Sequence, residues 1–278
     1  MAVGTGHSGM NDLSDFLKLA EEAVARAASM MRSNAPETLT GKGDRDYASD
    51  VDFAIEREIR TFLAQTTPDV GFLGEEESGD IDTSGQFWAL DPIDGTVNFV
   101  HSVPLCAVSL ALIRERKPIV GVIELPFLDS RYGATQGTGA YLDGNALSVS
   151  RTDRIGDAIV SLGDYAVGDG AVQKNGARFA MSQEFATRAL RVRMFGSSAI
   201  DLAWLAQGRT DASIALSNKP WDTAAGVIIA REAGARVVDT DGSEHTFDSQ
   251  ATIAAPPALL DQILSVVEVA RTSVPDGQ

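Results

Sequence analysis

The sequence predicts an α+β protein, with helices and then an antiparallel sheet in its N-terminal half and a mixed α/β half after it. Three observations carry this. Apolar residues recur at helical spacing in two segments near the N-terminus. Short β-rich runs separated by Gly, Pro and Asp fill residues 70–150. Beyond about Arg154, strand-like and helix-like segments alternate. No low-complexity linker separates the halves and no internal repeat is visible, so residues 10–278 read as one domain built from a 10–153 half and a 154–271 half.

Taken in order, residues 1–9 read as an unstructured leader that need not be native, with Met10 a natural start. Leu13, Phe16, Leu17, Ala20, Val24, Ala27 and Met31 predict a helix that stops before Pro36. A second helix begins near Ser49, whose hydroxyl is placed to cap it, with Val51, Ile55, Ile59 and Phe62 on one face. Runs at 70–73, 87–90, 105–113, 118–125, 131–135 and 140–142 predict the strands of one antiparallel meander, and Asp143-Gly144-Asn145 predicts a hairpin turn. Next come a strand at 158–162, a helix at 184–190 and a helix at 199–207 closed by Gly208. A strand at 212–216, a helix at 222–232 ending near Gly234, strands at 236–238 and 252–254, and a helix at 258–269 complete the half. The polar stretch 163–176 predicts a mobile loop, and the tail after Arg271 a frayed end.

Composition excludes several classes. A chain of 278 residues, 44% hydrophobic, buries a sizeable core without disulfides or a structural metal and is not disordered. Its 23 Lys+Arg against 39 Asp+Glu leave a net charge of −16. Neither nucleic acid nor an anionic membrane is therefore an expected partner, because both are bound through clustered cations. The single cysteine, Cys106, cannot form an intramolecular disulfide. With only His7, His101 and His245 beside it, no thiolate zinc site of the usual spacing can be built. Apolar runs such as 107–113 and 224–230 fall far short of a membrane span, and the N-terminus carries no secretory signal pattern. A reducing, cytoplasmic setting is expected.

Four acidic residues stand out by context. Asp91 and Asp94 lie in Leu90-Asp91-Pro92-Ile93-Asp94-Gly95-Thr96, directly after an apolar strand. Pro92 fixes the backbone so that the two carboxylates can converge, and Gly95 permits close approach of another group. Glu75 follows a second strand, and Asp222, after Trp221, opens an apolar helix. Hard oxygen donors at strand ends, without thiolates or clustered imidazoles, point to Mg²⁺ or a similar cation. The plainer alternative makes 91–95 an Asp/Gly turn and Asp222 a helix cap.

Gly74-Glu75-Glu76, then Trp88-Ala89-Leu90-Asp91-Pro92-Ile93-Asp94-Gly95-Thr96-Val97-Asn98-Phe99, then Trp221-Asp222-Thr223-Ala224-Ala225-Gly226 resemble, in order and spacing, the signatures of the inositol monophosphatase family. The similarity runs from about Lys42 to Val238. It implies an αβαβα layered sandwich of the inositol monophosphatase and fructose-1,6-bisphosphatase type. It also implies a homodimeric, lithium-sensitive, Mg²⁺-dependent phosphomonoesterase acting on a small phosphorylated metabolite. Metal ligands are implied at Glu75, Asp91, the carbonyl of Ile93, Asp94 and Asp222, holding two to three Mg²⁺. Substrate contacts are implied at Asp94, Gly95 and Thr96, and a catalytic set of Thr96, Asp52 and Glu75, with Asp52 orienting the threonine.

The chemistry asks for these residue types. A phosphate monoester dianion repels hydroxide, and four carboxylates add four negative charges, so two Mg²⁺ only neutralise the site. Net attraction for phosphate then needs a third, weakly held ion, or metal and substrate binding together. Predicted helix starts at Gly95 and Thr96, and at Gly196 and Ser198, would aim backbone N–H groups at the phosphate.

Several residues have plainer readings. Asp52 also fits the third position of a capping box with Ser49, and Thr96 a helix cap. Residues 42–46 either bring Lys42 near the site or form a solvated loop, and Glu76 is either solvated or turned toward a metal water. Residues 4–9 match a dinucleotide-binding pattern but follow no strand. Residues 239–242 lack the remaining ligands of a calcium loop and read as a turn, His101 is not expected to be a ligand, and Cys106 reads as core. The resemblance departs at Ala215, where inositol-specific members carry a glutamate that binds substrate hydroxyls. Histidinol phosphate, fructose 1,6-bisphosphate and 3′-phosphonucleotides are alternative substrates among relatives. A same-fold protein that acts mainly by binding a macromolecular partner is the alternative from another class.

Overall fold

The structure, a computed structural model, describes residues 12–77 and 83–273; the leader, its glycine-rich pattern, Met10 and residues 274–278 lie outside them. Helix α1 (Leu13–Ser33) starts at Asp12, whose carboxylate accepts the N–H of Ser14, and buries Phe16, Ala20, Val24, Ala27 and Met31, the face predicted for it. A hairpin of β1 (Leu39–Gly43) and β2 (Asp46–Ser49) leads into α2 (Asp50–Thr66). The hairpin is unpredicted: β1 is exposed along its whole length, so no alternation of apolar residues announces it.

Seven strands form the large sheet, in chain order: β3 (Gly71–Gly74), β4 (Gln86–Asp94), β5 (Ala107–Arg114), β6 (Lys117–Leu125), β7 (Ser130–Thr135), β8 (Gly139–Leu142) and β9 (Asn145–Ala146). The short helix α3 (Thr96–Val100) lies between β4 and β5. From β4 onward the pairs are antiparallel, but β3 pairs with β4 in parallel, which corrects the expectation of a wholly antiparallel meander. The predicted turn closes β8 on β9, with Leu142 opposite Asn145 and positive φ at Asp143 and Gly144.

The second half holds a 3₁₀ turn (Ile155–Asp157), β10 (Ile159–Leu162), α4 (Ala171–Arg188), β11 (Arg191–Arg193), α5 (Ser198–Ala206) and β12 (Ala212–Ala215). It closes with α6 (Pro220–Glu232), β13 (Arg236–Val238), β14 (Thr252–Ala255) and α7 (Pro257–Thr272). The smaller sheet runs β11-β10-β12-β14-β13, parallel at β11-β10-β12 and antiparallel beyond. Two expectations change here. Helix α4 begins at Ala171, so the polar stretch is a loop only to residue 170, and β11 is an unpredicted edge strand. Only Met181 and Phe185 of α4 are buried, too sparse a stripe to betray its first turns.

These elements stack in five layers, as the resemblance implied. Helices α1 and α2 cover one face of the large sheet and α5 and α6 the other. The same α5–α6 pair packs on the small sheet, whose far face is covered by α4 and α7. The ends of β4, α3, α5 and α6 meet where the two halves join.

Candidate active site

The predicted residues converge on one cleft of about 300 Å³. Glu75, Asp91, Ile93, Asp94, Gly95, Thr96, Gly196, Ser198 and Asp222 all line it, and Asp52 lies buried behind Thr96. A β-bulge explains how one strand supplies two of the carboxylates. Asp91 pairs with Ser109 and Asp94 with Ala107, so three steps along β4 match two along β5. In a regular strand, residues three apart point to opposite faces; the extra residue at Pro92 and Ile93 turns both carboxylates to one cleft. Asp91 holds the bulge, its Oδ1 accepting the Ile93 N–H at 3.0 Å. The two aspartates thus end β4 itself, rather than forming the free turn of the plainer reading.

Carboxylate oxygens of Glu75, Asp91 and Asp222 come within 4.8 Å of one another. Asp222 sits in the first turn of α6, whose N-cap is Lys219 and whose N1 is Pro220, so it does not cap the helix. Asp94 is engaged elsewhere: its Oδ2 accepts the Ser197 hydroxyl at 2.7 Å and the Ala199 N–H at 2.6 Å, at the N-terminus of α5. Burial and mutual repulsion keep the three aspartates from ionising freely. Burial, then Glu75, Asp94 and Asp222, raises Asp91 well above the carboxylate range. Burial lifts Asp222 to about 8 against the pull of Lys219, and Asp94 to about 6 against the bonds from Ser197 and Ala199. Crowded carboxylate oxygens with no thiolate or imidazole among them suit a hard divalent cation, so the donor set fits Mg²⁺.

Two acids that α2 turns inward support the cleft from below. Asp52 Oδ2 accepts the N–H (2.9 Å) and the hydroxyl of Ser49; the N–H bond, with the Asp52 backbone N–H returned to the Ser49 side chain, forms the capping box, while Oδ1 faces the Thr96 hydroxyl at 3.3 Å. One carboxylate thus serves the helix start with one oxygen and faces Thr96 with the other. Burial raises its pKa. Glu56, one helical turn on and wholly buried, belongs to none of the sequence motifs. It accepts the N–H groups of Glu76 (2.8 Å) and Glu77 (2.9 Å) and a charged bond from Arg60 (2.6 Å), which clamps the segment carrying Glu75. Gly74 is required there, since a Cβ would fall 2.2 Å from the Glu56 carboxyl carbon. The overlooked signal is Asp52 and Glu56, i and i+4, on the same apolar face as Ile55 and Ile59.

The end of the cleft at Gly95 and Gly196 is built on backbone. Gly95 has φ +91°, and a Cβ on it would meet the Gly196 and Leu105 carbonyls at 3.0 Å. Asn98 ties the halves together, donating to the carbonyls of Leu105 (2.7 Å) and Phe195 (2.8 Å). Lys42 reaches Glu75 (3.0 Å) and Glu76 (2.7 Å) from the unpredicted hairpin, so it is not in a solvated loop. Burial opposes its charge, but those two carboxylates outweigh it and raise its pKa, while burial holds Glu76 at about 7. Asp46, Asp164, Asp201 and Lys219 also line the cleft, unmarked by any motif. His101 is exposed, Cys106 is buried, and residues 239–242 form a turn in which Asp239 accepts the N–H groups of Gln250 and Ala251.

Comparison with known proteins adds a second line. The model of the "Inositol monophosphatase family" matches residues 12–271. Among curated proteins, inositol monophosphatase 1 of Solanum lycopersicum is 34% identical over 266 residues, covering 93% of this chain and 97% of that protein. Inositol-1-monophosphatase ImpA of Mycolicibacterium smegmatis is 31% identical over 249 residues, covering 90% of each. Among solved structures, the extragenic suppressor protein suhB of Bartonella henselae superposes with a TM-score of 0.85 at 30% identity, over 91% of this chain and 98% of that one. The IMPase of Thermotoga maritima gives 0.86 at 27%, over 94% and 99%.

Proposed function

The chain belongs to the inositol monophosphatase family, and from that premise we propose that it is a Mg²⁺-dependent phosphomonoesterase hydrolysing a small phosphorylated polyol or related metabolite, with water as nucleophile. The observation that carries this is the grouping of Glu75, Asp91 and Asp222 within 4.8 Å beside Asp94, Gly95 and Thr96 in one cleft. Glu75, Asp91, the Ile93 carbonyl, Asp94 and Asp222 would hold two to three Mg²⁺. Bound there, the cations offset the phosphoryl charge and acidify the attacking water.

The chain's own groups position that water and the ester. The single Thr96 hydroxyl proton is shared between the Ile93 carbonyl at 3.0 Å and Asp52 at 3.3 Å. With its hydrogen directed to Asp52, the Thr96 hydroxyl would keep a lone pair to accept a hydrogen bond from the attacking water and so orient it, with Asp52 fixing the rotor. Backbone N–H groups around Gly95 and Thr96 and at residues 196–198 receive the phosphoryl oxygens, with Gly196 and Ser198 forming the second wall. Glu75 orients the nucleophile. Residues 10–153 and 154–271 act as one phosphatase domain, since each supplies part of this cleft.

Homodimerisation, lithium inhibition and a cytoplasmic setting belong to the same proposal and rest on the family relationship. No helix among the described residues is long and apolar enough to cross a membrane. The test is phosphate release from a panel of phosphomonoesters with Mg²⁺, with Mg²⁺ plus Li⁺, and after exhaustive chelation. Release that needs Mg²⁺ and is suppressed by Li⁺ is expected. Full activity after chelation, or none on any ester, overturns the reading.

A further inference from the structure

Asp222 is the one proposed metal ligand that the C-terminal half supplies, and it reaches the cleft from the first turn of α6. Its aim therefore depends on how that turn is held. The Lys219 side chain makes no capping hydrogen bond at this helix start. Two other ties fix the turn. From the large sheet, the Ser109 hydroxyl of β5 donates to the Trp221 carbonyl at 3.1 Å. From the segment before the helix, Asn218 Oδ1 and the Lys219 carbonyl share the hydrogen of the Thr223 hydroxyl, each at 3.0 Å.

Asn218 is itself set by a distant segment. Its amide nitrogen donates to the carbonyls of Thr246 (3.0 Å), Phe247 (3.2 Å) and Ser249 (3.0 Å). With the nitrogen so engaged, Oδ1 faces Thr223 and the His245 imidazole, whose Nε2 lies 3.0 Å away. An amide oxygen only accepts, so Nε2 carries the ring hydrogen. The Thr252 hydroxyl, 3.2 Å from the same nitrogen, spends its own hydrogen on the Ser217 carbonyl. Burial, helped by Arg231 and opposed by Asp239, keeps the ring neutral. The His245 backbone is pinned as well, its N–H on the Val237 carbonyl at 3.1 Å and its own carbonyl under Arg231 at 2.6 Å. Asn218, Thr223 and His245 all stand outside the lining of the cleft.

We propose that Asn218 and His245 are positioning residues for the metal ligand Asp222. The imidazole N–H sets the Asn218 amide, the amide oxygen holds the Thr223 hydroxyl, and Thr223 fixes the turn that aims the adjacent carboxylate. The inference rests on the metal-dependent phosphatase reading above. Mg²⁺ demands near-octahedral geometry, and altering side chains that orient its ligands lowers affinity by about 10- to 100-fold.

The test measures the Mg²⁺ dissociation constant of the substrate-free protein by titration calorimetry, beside hydrolysis of p-nitrophenyl phosphate over a range of Mg²⁺. Asn218→Ala and His245→Asn should each raise that constant about tenfold, and activity lost at limiting Mg²⁺ should return as Mg²⁺ is raised. His245→Gln, whose longer side chain carries an N–H to the position of Nε2, should stay within about threefold of the unsubstituted protein. Thr223→Val removes only the hydroxyl link at nearly constant volume. It should weaken Mg²⁺ as Asn218→Ala does, and the two combined should weaken it no further. Because Asn218 and His245 also tie down the 246–249 segment, Thr223→Val decides the matter if their variants fail to fold. An unchanged Mg²⁺ constant in Thr223→Val, or equal constants for His245→Gln and His245→Asn, overturns the inference, whatever happens to the Tm of the chelated protein. Neither Mg²⁺ binding nor hydrolysis of p-nitrophenyl phosphate by the unsubstituted protein overturns the phosphatase reading instead.

Discussion

Asp94 Oδ2 lies 2.6 Å from the backbone nitrogen of Ala199, 105 residues further along the chain. One carboxylate at the end of the large sheet thereby anchors the helix that forms the opposite wall of the cleft. The Ser197 hydroxyl, 2.7 Å away on the same oxygen, completes the joint between the halves.

That double role separates two substitutions at one position. Asp94→Asn keeps an acceptor for Ser197 and Ala199 while removing one of several repelling charges. Metal-free stability should therefore be unchanged or higher, and turnover nearly abolished. Asp94→Ala strands both donors and should be less stable than the Asn variant by about 1–3 kcal/mol. Denaturant midpoints of the two chelated variants check this; equal midpoints would detach Asp94 from the α5 joint.

The clamp under Glu75 predicts an effect at a residue that touches no ligand. Gly74→Ala drives a methyl group into the Glu56 carboxylate, and should cost on the order of 1–3 kcal/mol and raise the Mg²⁺ concentration needed for half-maximal activity. In a Glu56→Ala background that space is vacated, so the second substitution should cost less than it does alone. Additive losses in the double-variant cycle would show that the two positions do not meet.

If the Thr96 hydroxyl acts on the attacking water as proposed, Thr96→Ala should lower kcat by about 100-fold or more with little change in KM. Thr96→Ser, which keeps the hydroxyl, should restore most of the rate. Steady-state kinetics on one good ester decide the matter, and parallel small losses in both parameters would leave Thr96 a helix cap.

Crowding in the metal-free site fixes a sign for its pH dependence. Asp222 and Asp94 have folded pKa values raised to about 8 and about 6, above their unfolded values near 3.9, and Asp91 is raised with them. Stability from such groups is complete below the unfolded pKa and is lost as pH rises through the folded one, with a slope of up to about 1.4 kcal/mol per pH unit per group. Between pH 6.5 and 9 the chelated protein should lose stability, and the gain in Tm on adding Mg²⁺ should grow. Lower pH brings in an opposing group. Burial, helped by Arg231, holds His245 down to about 4, so the stability of its neutral form is lost as pH falls from 6.5 toward 4. A chelated Tm that is flat or rises from pH 6.5 to 9 would contradict the crowding.

The sequence alone determined which acidic residues would converge on one cleft and which elements hold the core. Asp91, Asp94, Glu75 and Asp222 were legible because they interrupt apolar runs with Gly and Pro beside them. The buried faces of α1 and α2 were legible because packing imposes a period that composition reveals. Tertiary structure decided how these pieces meet. The bulge at Pro92 and Ile93 is a mismatch of register with β5, a property of two strands that neither segment encodes alone. Lys42 reaches Glu75 through an exposed hairpin without apolar alternation, and Glu56 clamps a backbone segment 20 residues away. Local spacing records what a residue does for its own helix or strand. What it does for a distant one depends on chain closure, which no window of sequence contains.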